Sequence, residues 1–174
     1  MSGNNFLMRD VMREERFDII SAADKAFIIA FDKEMQTLGY AVYNGDIGSG
    51  YCWGRYMIIY AKVGVKAKQV AARIYIREDG IILRLFFGKV DTHRAYIESA
   101  PAHIKQVFTQ DHGNCHYCPG KEARCNFRKI YTLDDTQYEK CNGVVFEFGQ
   151  PDMDKLSDYM GLLNEFYRRK TKAV

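Results

Sequence analysis

The chain has 174 residues, of which 47% are hydrophobic and 14% aromatic. This composition excludes a disordered chain, and the length fits one domain over residues 1–174. The net charge of +3 is too small to indicate a nucleic-acid partner by itself.

The first predicted helix covers residues 22–38. Ser21 is a typical N-cap residue, and Asp24 lies three residues later as its capping-box partner. Gly39 favours the end of the helix. Apolar residues recur between these signals at helical spacing, namely Phe27, Ile28, Phe31, Met35 and Leu38.

A glycine-rich segment, residues 44–54, follows the helix and carries Tyr51, Cys52 and Trp53 between its glycines. It lacks the lysine of a phosphate-binding loop and does not fit a dinucleotide-binding fingerprint. We interpret it as a flexible connection, with an aromatic-rimmed pocket mouth as the alternative.

Three strands are predicted next, over residues 56–62, 70–77 and 81–87. Asp79-Gly80 is a favoured two-residue hairpin turn. A hairpin closed there has one apolar face, with Ile76 opposite Leu83 and Ile74 opposite Leu85. Its other face has Arg77 opposite Ile82, Tyr75 opposite Arg84, and Arg73 opposite Phe86.

The two faces of this hairpin predict different roles. The apolar face is expected to pack against helices 22–38 and 152–167. The arginine face predicts a site for an anionic or aromatic small molecule, formed by Arg73, Tyr75 and Arg84 with Trp53 as a lid. An ordinary solvated sheet face is the alternative.

The second half of the chain predicts further helices and strands. Asp91 is expected to cap a helix that extends to Glu98, and Pro101 fits the first turn of another helix. Strands over residues 127–133, 137–141 and 144–148 form a predicted meander, with turns at residues 134–135 and 142–143. A last helix follows Pro151. The predicted fold is α+β, an antiparallel sheet with flanking helices and a zinc-knuckle-like insertion with four cysteine ligands.

Four cysteines in a 27-residue window carry the clearest chemical signal. Their spacing is C-x2-C-x6-C-x15-C, and it predicts a structural zinc ion bound in a metal-stapled subregion at about residues 111–143. The predicted hairpin places Cys141 opposite Arg128, close to Cys125. His112 or His116 replacing one thiolate, reduced or redox-active thiols, and an iron–sulfur cluster are the alternatives. The predicted ligands are Cys115, Cys118, Cys125 and Cys141.

These features predict a non-enzymatic zinc-binding domain that binds a small ligand or a protein partner through its sheet face. No catalytic signature is present in the sequence. The alternatives are an unrecognised enzyme, for example a thiol-dependent one, and a nucleic-acid-associated zinc protein. The polar start of the chain and its short apolar stretches predict a cytoplasmic protein with no membrane partner.

Overall fold

The computed structural model describes residues 6–110 and 125–167. Within these ranges the chain has an α+β fold with an antiparallel sheet, as the sequence predicts. The helices are α1 (Met8–Val11), α2 (Ala22–Thr37), α3 (Arg94–Ser99), α4 (Ala102–Thr109) and α5 (Leu156–Tyr167). The strands are β1 (Tyr40–Val42), β2 (Gly48–Ser49), β3 (Tyr56–Lys62), β4 (Val70–Arg77), β5 (Gly80–Phe86), β6 (Lys129–Leu133), β7 (Thr136–Lys140) and β8 (Val145–Gly149).

The strands form two sheets rather than one sheet and a meander. Among the described residues, six strands make an antiparallel sheet in the order β1-β3-β4-β5-β8, with β2 paired to β3, whereas β6 and β7 pair only with each other. The predicted pairing of the last strand with its predecessor in the chain is therefore wrong. β8 pairs with β5 because Phe146 and Phe148, both buried, continue the apolar rows of that strand. In the described residues, no helix is long and apolar enough to cross a membrane.

Helix α2 begins and ends where its sequence signals lie. The Ser21 hydroxyl oxygen accepts a hydrogen bond from the Asp24 backbone N–H at 3.0 Å, which satisfies one of the free donors of the first turn. The helix ends at Thr37, and Gly39 follows with φ +81°, a conformation that glycine adopts without strain. The predicted cap and stop are confirmed.

The β4–β5 hairpin is shifted by two residues from the predicted register. Its turn residues are Glu78 and Asp79, and neither has the positive φ that an Asp-Gly type I′ turn requires of both its central residues. Gly80 instead begins β5, with φ +132°. A shift of two residues keeps every side chain on its predicted face, because the side-chain period of a strand is two. The pairs do change: Arg73 lies opposite Arg84, Ile74 opposite Leu83, Tyr75 opposite Ile82, Ile76 opposite Ile81, and Arg77 opposite Gly80.

The core lies between one face of the large sheet and the helices. The Phe31 ring of α2 meets the Tyr60 ring edge-to-face at 5.3 Å, and the Tyr159 ring of α5 meets Phe148 at 4.9 Å. Both helices therefore cover the predicted apolar face. Helix α4 extends this layer, since the Phe108 and Phe146 rings lie 4.3 Å apart. Aromatic edge-to-face and offset pairs of this kind add stability beyond the area they bury.

Carboxylates and a tyrosine hydroxyl join the β6–β7 hairpin to the helices. The Thr132 N–H donates to Asp91 Oδ1 at 2.8 Å, and the Asp134 N–H donates to Glu98 Oε1 at 2.6 Å. The Tyr131 hydroxyl donates to the Phe108 carbonyl near the end of α4 at 2.5 Å. Asp91 thus binds a strand and does not cap a helix, so that prediction is wrong. Its helix α3 starts later, at Arg94, without a side-chain cap.

Candidate functional site

Arg84 lies on β5, on the face of the large sheet opposite the one that packs against α2 and α5. Its guanidinium carbon lies 3.9 Å from the Trp53 ring centroid and 5.0 Å from the Tyr75 ring centroid. Its Nε donates to Glu147 Oε2 at 2.6 Å, across the β5–β8 pair. The Arg84 side chain is only 13% exposed. A guanidinium that contacts two rings is orientated by cation–π contacts while its remaining N–H donors stay available.

Trp53 reaches Arg84 because the glycine-rich segment folds back on the sheet. The Arg55 N–H donates to the Ile76 carbonyl at 2.8 Å, and a Cβ added to Gly54 would lie 2.8 Å from the same oxygen. Only glycine allows the backbone to approach β4 this closely. The segment is more than a bare connection, because it contains a strand, and its flexibility stays a prediction. β2 pairs with β3, and the segment places a half-exposed indole over the arginine face.

Arg73 lies directly opposite Arg84 on the neighbouring strand. Its guanidinium carbon is 5.2 Å from the Phe86 ring centroid, and its Nη1 contacts the Tyr75 hydroxyl at 3.5 Å. Its Nε is buried without a hydrogen-bond partner, and within the described ranges no carboxylate lies within 4.0 Å of Arg73. Two facing cations with one neutralising carboxylate, Glu147, leave this face with an excess of positive charge.

A cavity of about 410 Å³ lies beside Arg84. Its wall includes two of the predicted ligand-binding residues, Trp53 and Arg84, and the predicted metal ligand Cys141. Arg73 and Tyr75 are not part of its wall, so the structure brings the four predicted residues onto one face but only two of them into the cavity. The lining residues are Trp53, Arg84, Gln110, Lys140, Cys141, Asn142, Val145 and Glu147.

Lys140 is the cavity residue that sequence reasoning missed. It is only 6% exposed, and its Nζ lies 5.2 Å from the Phe146 ring centroid. Burial lowers the pKa of Lys140, and the neighbouring Arg84 lowers it further, while the negative charges of Cys141 and Glu147 raise it. The available signal was the alternation in β7, which puts Lys140 on the same side of the strand as the half-buried Tyr138.

The predicted metal ligands fall partly outside the described residues. Cys115 and Cys118 lie in that undescribed part, as do His112 and His116, whereas Cys125 and Cys141 are both partly exposed. Residues 6–110 and 125–167 contain no group of three or more His, Cys, Asp or Glu side chains arranged to hold a metal ion. The four-cysteine site therefore stays a prediction.

The segments that carry Cys125 and Cys141 adjoin one another. β6 and β7 pair with Lys129 opposite Lys140, so the predicted register is correct and its next step sets Arg128 opposite Cys141. The Arg128 N–H donates to the Cys125 carbonyl at 3.1 Å, and the Gly143 N–H donates to the Phe127 carbonyl at 2.8 Å. Cys125 and Cys141, 16 positions apart in the sequence, therefore lie in turns that are hydrogen-bonded to each other.

A larger cavity, about 580 Å³, lies between α1 and α2 and is mostly apolar. Asp32 lines it but is only 4% exposed, and its Oδ2 accepts a hydrogen bond from Gln36 Nε2 at 2.7 Å. Burial raises the pKa of Asp32, and burial together with the nearby Asp32 raises the pKa of Tyr60. This cavity contains no cation–π cluster comparable to that of Arg84, so it ranks second as a candidate site.

No protein-family model matches the chain, and no curated protein or solved structure matches it either.

Proposed function

We propose that the protein binds an anionic, planar small molecule in the cavity beside Arg84, without catalysing a reaction on it. The observation that carries this proposal is the Arg84 guanidinium, which contacts the Trp53 and Tyr75 rings and has N–H donors beyond the one used by Glu147. A carboxylate or phosphate could accept from those donors while an attached ring packs on the indole.

The size and charge of the cavity support this ligand class. About 410 Å³ lies within the range of small-molecule sites in proteins. Arg73, which has no carboxylate within 4.0 Å among the described residues, adds positive charge to the same face and favours the approach of an anion. The half-exposed Trp53 offers the aromatic surface that such sites use to orientate a planar ligand.

The single tryptophan makes this proposal directly measurable. Trp53 is the only indole in the chain, so its fluorescence reports on the cavity alone. We expect at least one member of a panel of aromatic carboxylates and aryl phosphates to change the emission saturably. Arg84→Gln should then weaken binding by roughly 10- to 100-fold, the value of a charge-assisted hydrogen bond.

Arg77→Gln is the matched control for this experiment. Arg77 lies on the same face of the hairpin but pairs with Asp79 at 3.0 Å and is not part of the cavity wall. Its replacement should leave the affinity unchanged. A panel without any saturable response, or equal affinities for Arg84→Gln and the unmodified protein, would refute the proposal.

We further propose that Cys115, Cys118, Cys125 and Cys141 bind one structural zinc ion. Two observations support this site. The turns that carry Cys125 and Cys141 are neighbours. Gln110, the residue after α4, lines the same cavity as Cys141, so the chain leaves α4 close to Cys141. The Lys140 ammonium beside Cys141 would balance part of the thiolate charge. A closed site of this kind stabilises a fold and needs a reducing compartment such as the cytoplasm.

Metal analysis of the purified protein tests the zinc proposal. We expect about one zinc ion per chain, and its loss in Cys118→Ser because three thiolates bind zinc less tightly than four. Cys52→Ser is the control, since Cys52 is exposed and lies outside the predicted ligand set. Fewer than about 0.2 zinc ions per chain in the unmodified protein would contradict a tight site.

A thiol-dependent enzyme is the second candidate, and the position of Cys141 in the cavity beside Lys140 is the observation that favours it. Alkylation with iodoacetamide separates the two functions. A zinc-bound Cys141 should react only after a chelator is added, whereas a catalytic thiolate should react without one.

A further inference from the structure

The loop between β3 and β4, residues 63–69, projects from one end of the large sheet. All seven residues are exposed, including Val63 at 60% and Val65 at 41%. The base of the loop is fixed, because the Lys62 N–H donates to the Gln69 carbonyl at 2.9 Å and the Val63 N–H donates to the Gly39 carbonyl at 3.0 Å. Val63 thus lies at the anchored base of the loop and Val65 two residues further out, and both side chains are exposed.

Three lysines, Lys62, Lys66 and Lys68, lie in or beside this loop. Among the described residues, no carboxylate lies within 4.0 Å of Lys62, Lys66 or Lys68. Two of the three contact aromatic rings instead, with Lys68 Nζ 3.8 Å from the Tyr43 centroid and Lys62 Nζ 4.6 Å from the Tyr40 centroid. The positive charge around the loop is therefore not neutralised within the described part of the fold.

The two ends of the large sheet differ in charge. Lys89 lies in the loop that leaves β5 at the same end of the sheet, and Tyr167 of α5 donates a hydrogen bond to the Phe86 carbonyl there. The opposite end of the sheet has a cavity lined by four aspartates, Asp24, Asp79, Asp152 and Asp154.

We propose that loop 63–69 docks on an anionic lipid surface. Val63 and Val65 would enter the boundary between headgroups and acyl chains, where Tyr43 is also favoured. Lys66 and Lys68 would contact the headgroup anions, with their aliphatic stems lying along the apolar region. A nucleic-acid backbone offers the same charge but no apolar phase for the valines, so lipid fits the loop better.

This proposal differs from the prediction that the protein has no membrane partner. That prediction rests on the absence of an apolar stretch long enough to span a bilayer, and docking at the surface needs no such stretch. The loop is also separate from the cavity beside Arg84. Membrane docking can therefore fail or succeed independently of ligand binding.

Co-sedimentation with lipid vesicles tests the proposal on the full chain. We expect binding to phosphatidylcholine vesicles that contain phosphatidylserine, weak binding to phosphatidylcholine alone, and weakening by salt. Lys66→Gln with Lys68→Gln should reduce binding by about fivefold per lysine. Val63→Ser with Val65→Ser should reduce it by a similar factor but preserve its salt dependence.

Matched variants at the other end of the sheet provide the controls. Lys25→Gln with Lys155→Gln removes two lysines of that end, and Met153→Ser removes an apolar side chain that is 47% exposed. Both should bind vesicles as the unmodified protein does. Absence of binding to the anionic vesicles, equal losses in loop and control variants, or binding to a duplex oligonucleotide but not to vesicles would each overturn the proposal.

Discussion

Replacing Leu85 with alanine tests the placement of the core face most directly. Leu85 is fully buried, in a cross-strand row with Ala72 and Phe146. Removing three carbon atoms costs about 2.4 kcal/mol in transfer free energy, at roughly 0.8 kcal/mol for each methylene-sized group. The unfilled cavity adds to this cost. The Phe146 ring is held by Phe108 at 4.3 Å and Phe87 at 6.0 Å, so it cannot readily move into the space. We therefore expect a loss of about 3–5 kcal/mol.

Urea unfolding followed by circular dichroism measures this loss. Arg77→Ala is the comparison, because Arg77 projects from the opposite face of the same hairpin and its ion pair with Asp79 is exposed. Its replacement should cost at most about 1 kcal/mol. If both variants lose the same small amount of stability, Leu85 does not face the core and the register of the sheet is wrong.

Two further predictions concern Asp32 and Gly54. Burial raises the pKa of Asp32 above its ordinary value of 3.8, so the folded protein binds the carboxyl proton more tightly than the unfolded chain does. The free energy of unfolding of the wild type should therefore fall relative to that of Asp32→Asn as pH rises. Urea unfolding of both proteins at about pH 4 and about pH 7 measures this difference, and a constant difference would contradict the raised pKa. Gly54→Ala should destabilise the protein by about 1–3 kcal/mol and shift the Trp53 emission, because the new methyl group would press on the Ile76 carbonyl and break its hydrogen bond with Arg55. Unchanged emission and stability would show that the segment over the cavity has room to move.

Local signals in the sequence predict much of this fold. The Ser21 cap and the Gly39 stop define α2 because each acts through hydrogen bonds or backbone freedom within a few residues. Period-two alternation assigns the faces of β4 and β5 correctly, and these assignments survive a two-residue error in register. That error arises because Glu78-Asp79 and Asp79-Gly80 are both acceptable turns. The choice depends on packing across the sheet.

The sequence predicts Trp53 and Arg84 as site residues but not Lys140, for a different reason. Trp53 meets Arg84 because the glycine-rich segment folds back on β4, whereas the segment of Lys140 joins them beside the β5–β8 pair. A prediction that favours neighbouring strands cannot find that pairing. Lys140 carries no motif, and it matters only because the fold buries its amino group beside Arg84 and Cys141.

The contacts that hold the β6–β7 hairpin also position one wall of the cavity. One wall of the cavity belongs to the large sheet, and another is the end of β7, yet no strand ladder among the described residues joins the two sheets. The hairpin is fastened to α3 and its preceding turn by the carboxylates of Asp91 and Glu98. Side-chain hydrogen bonds and the burial of Tyr131 and Leu133, and not a backbone ladder, therefore position the β7 wall of the cavity relative to Arg84.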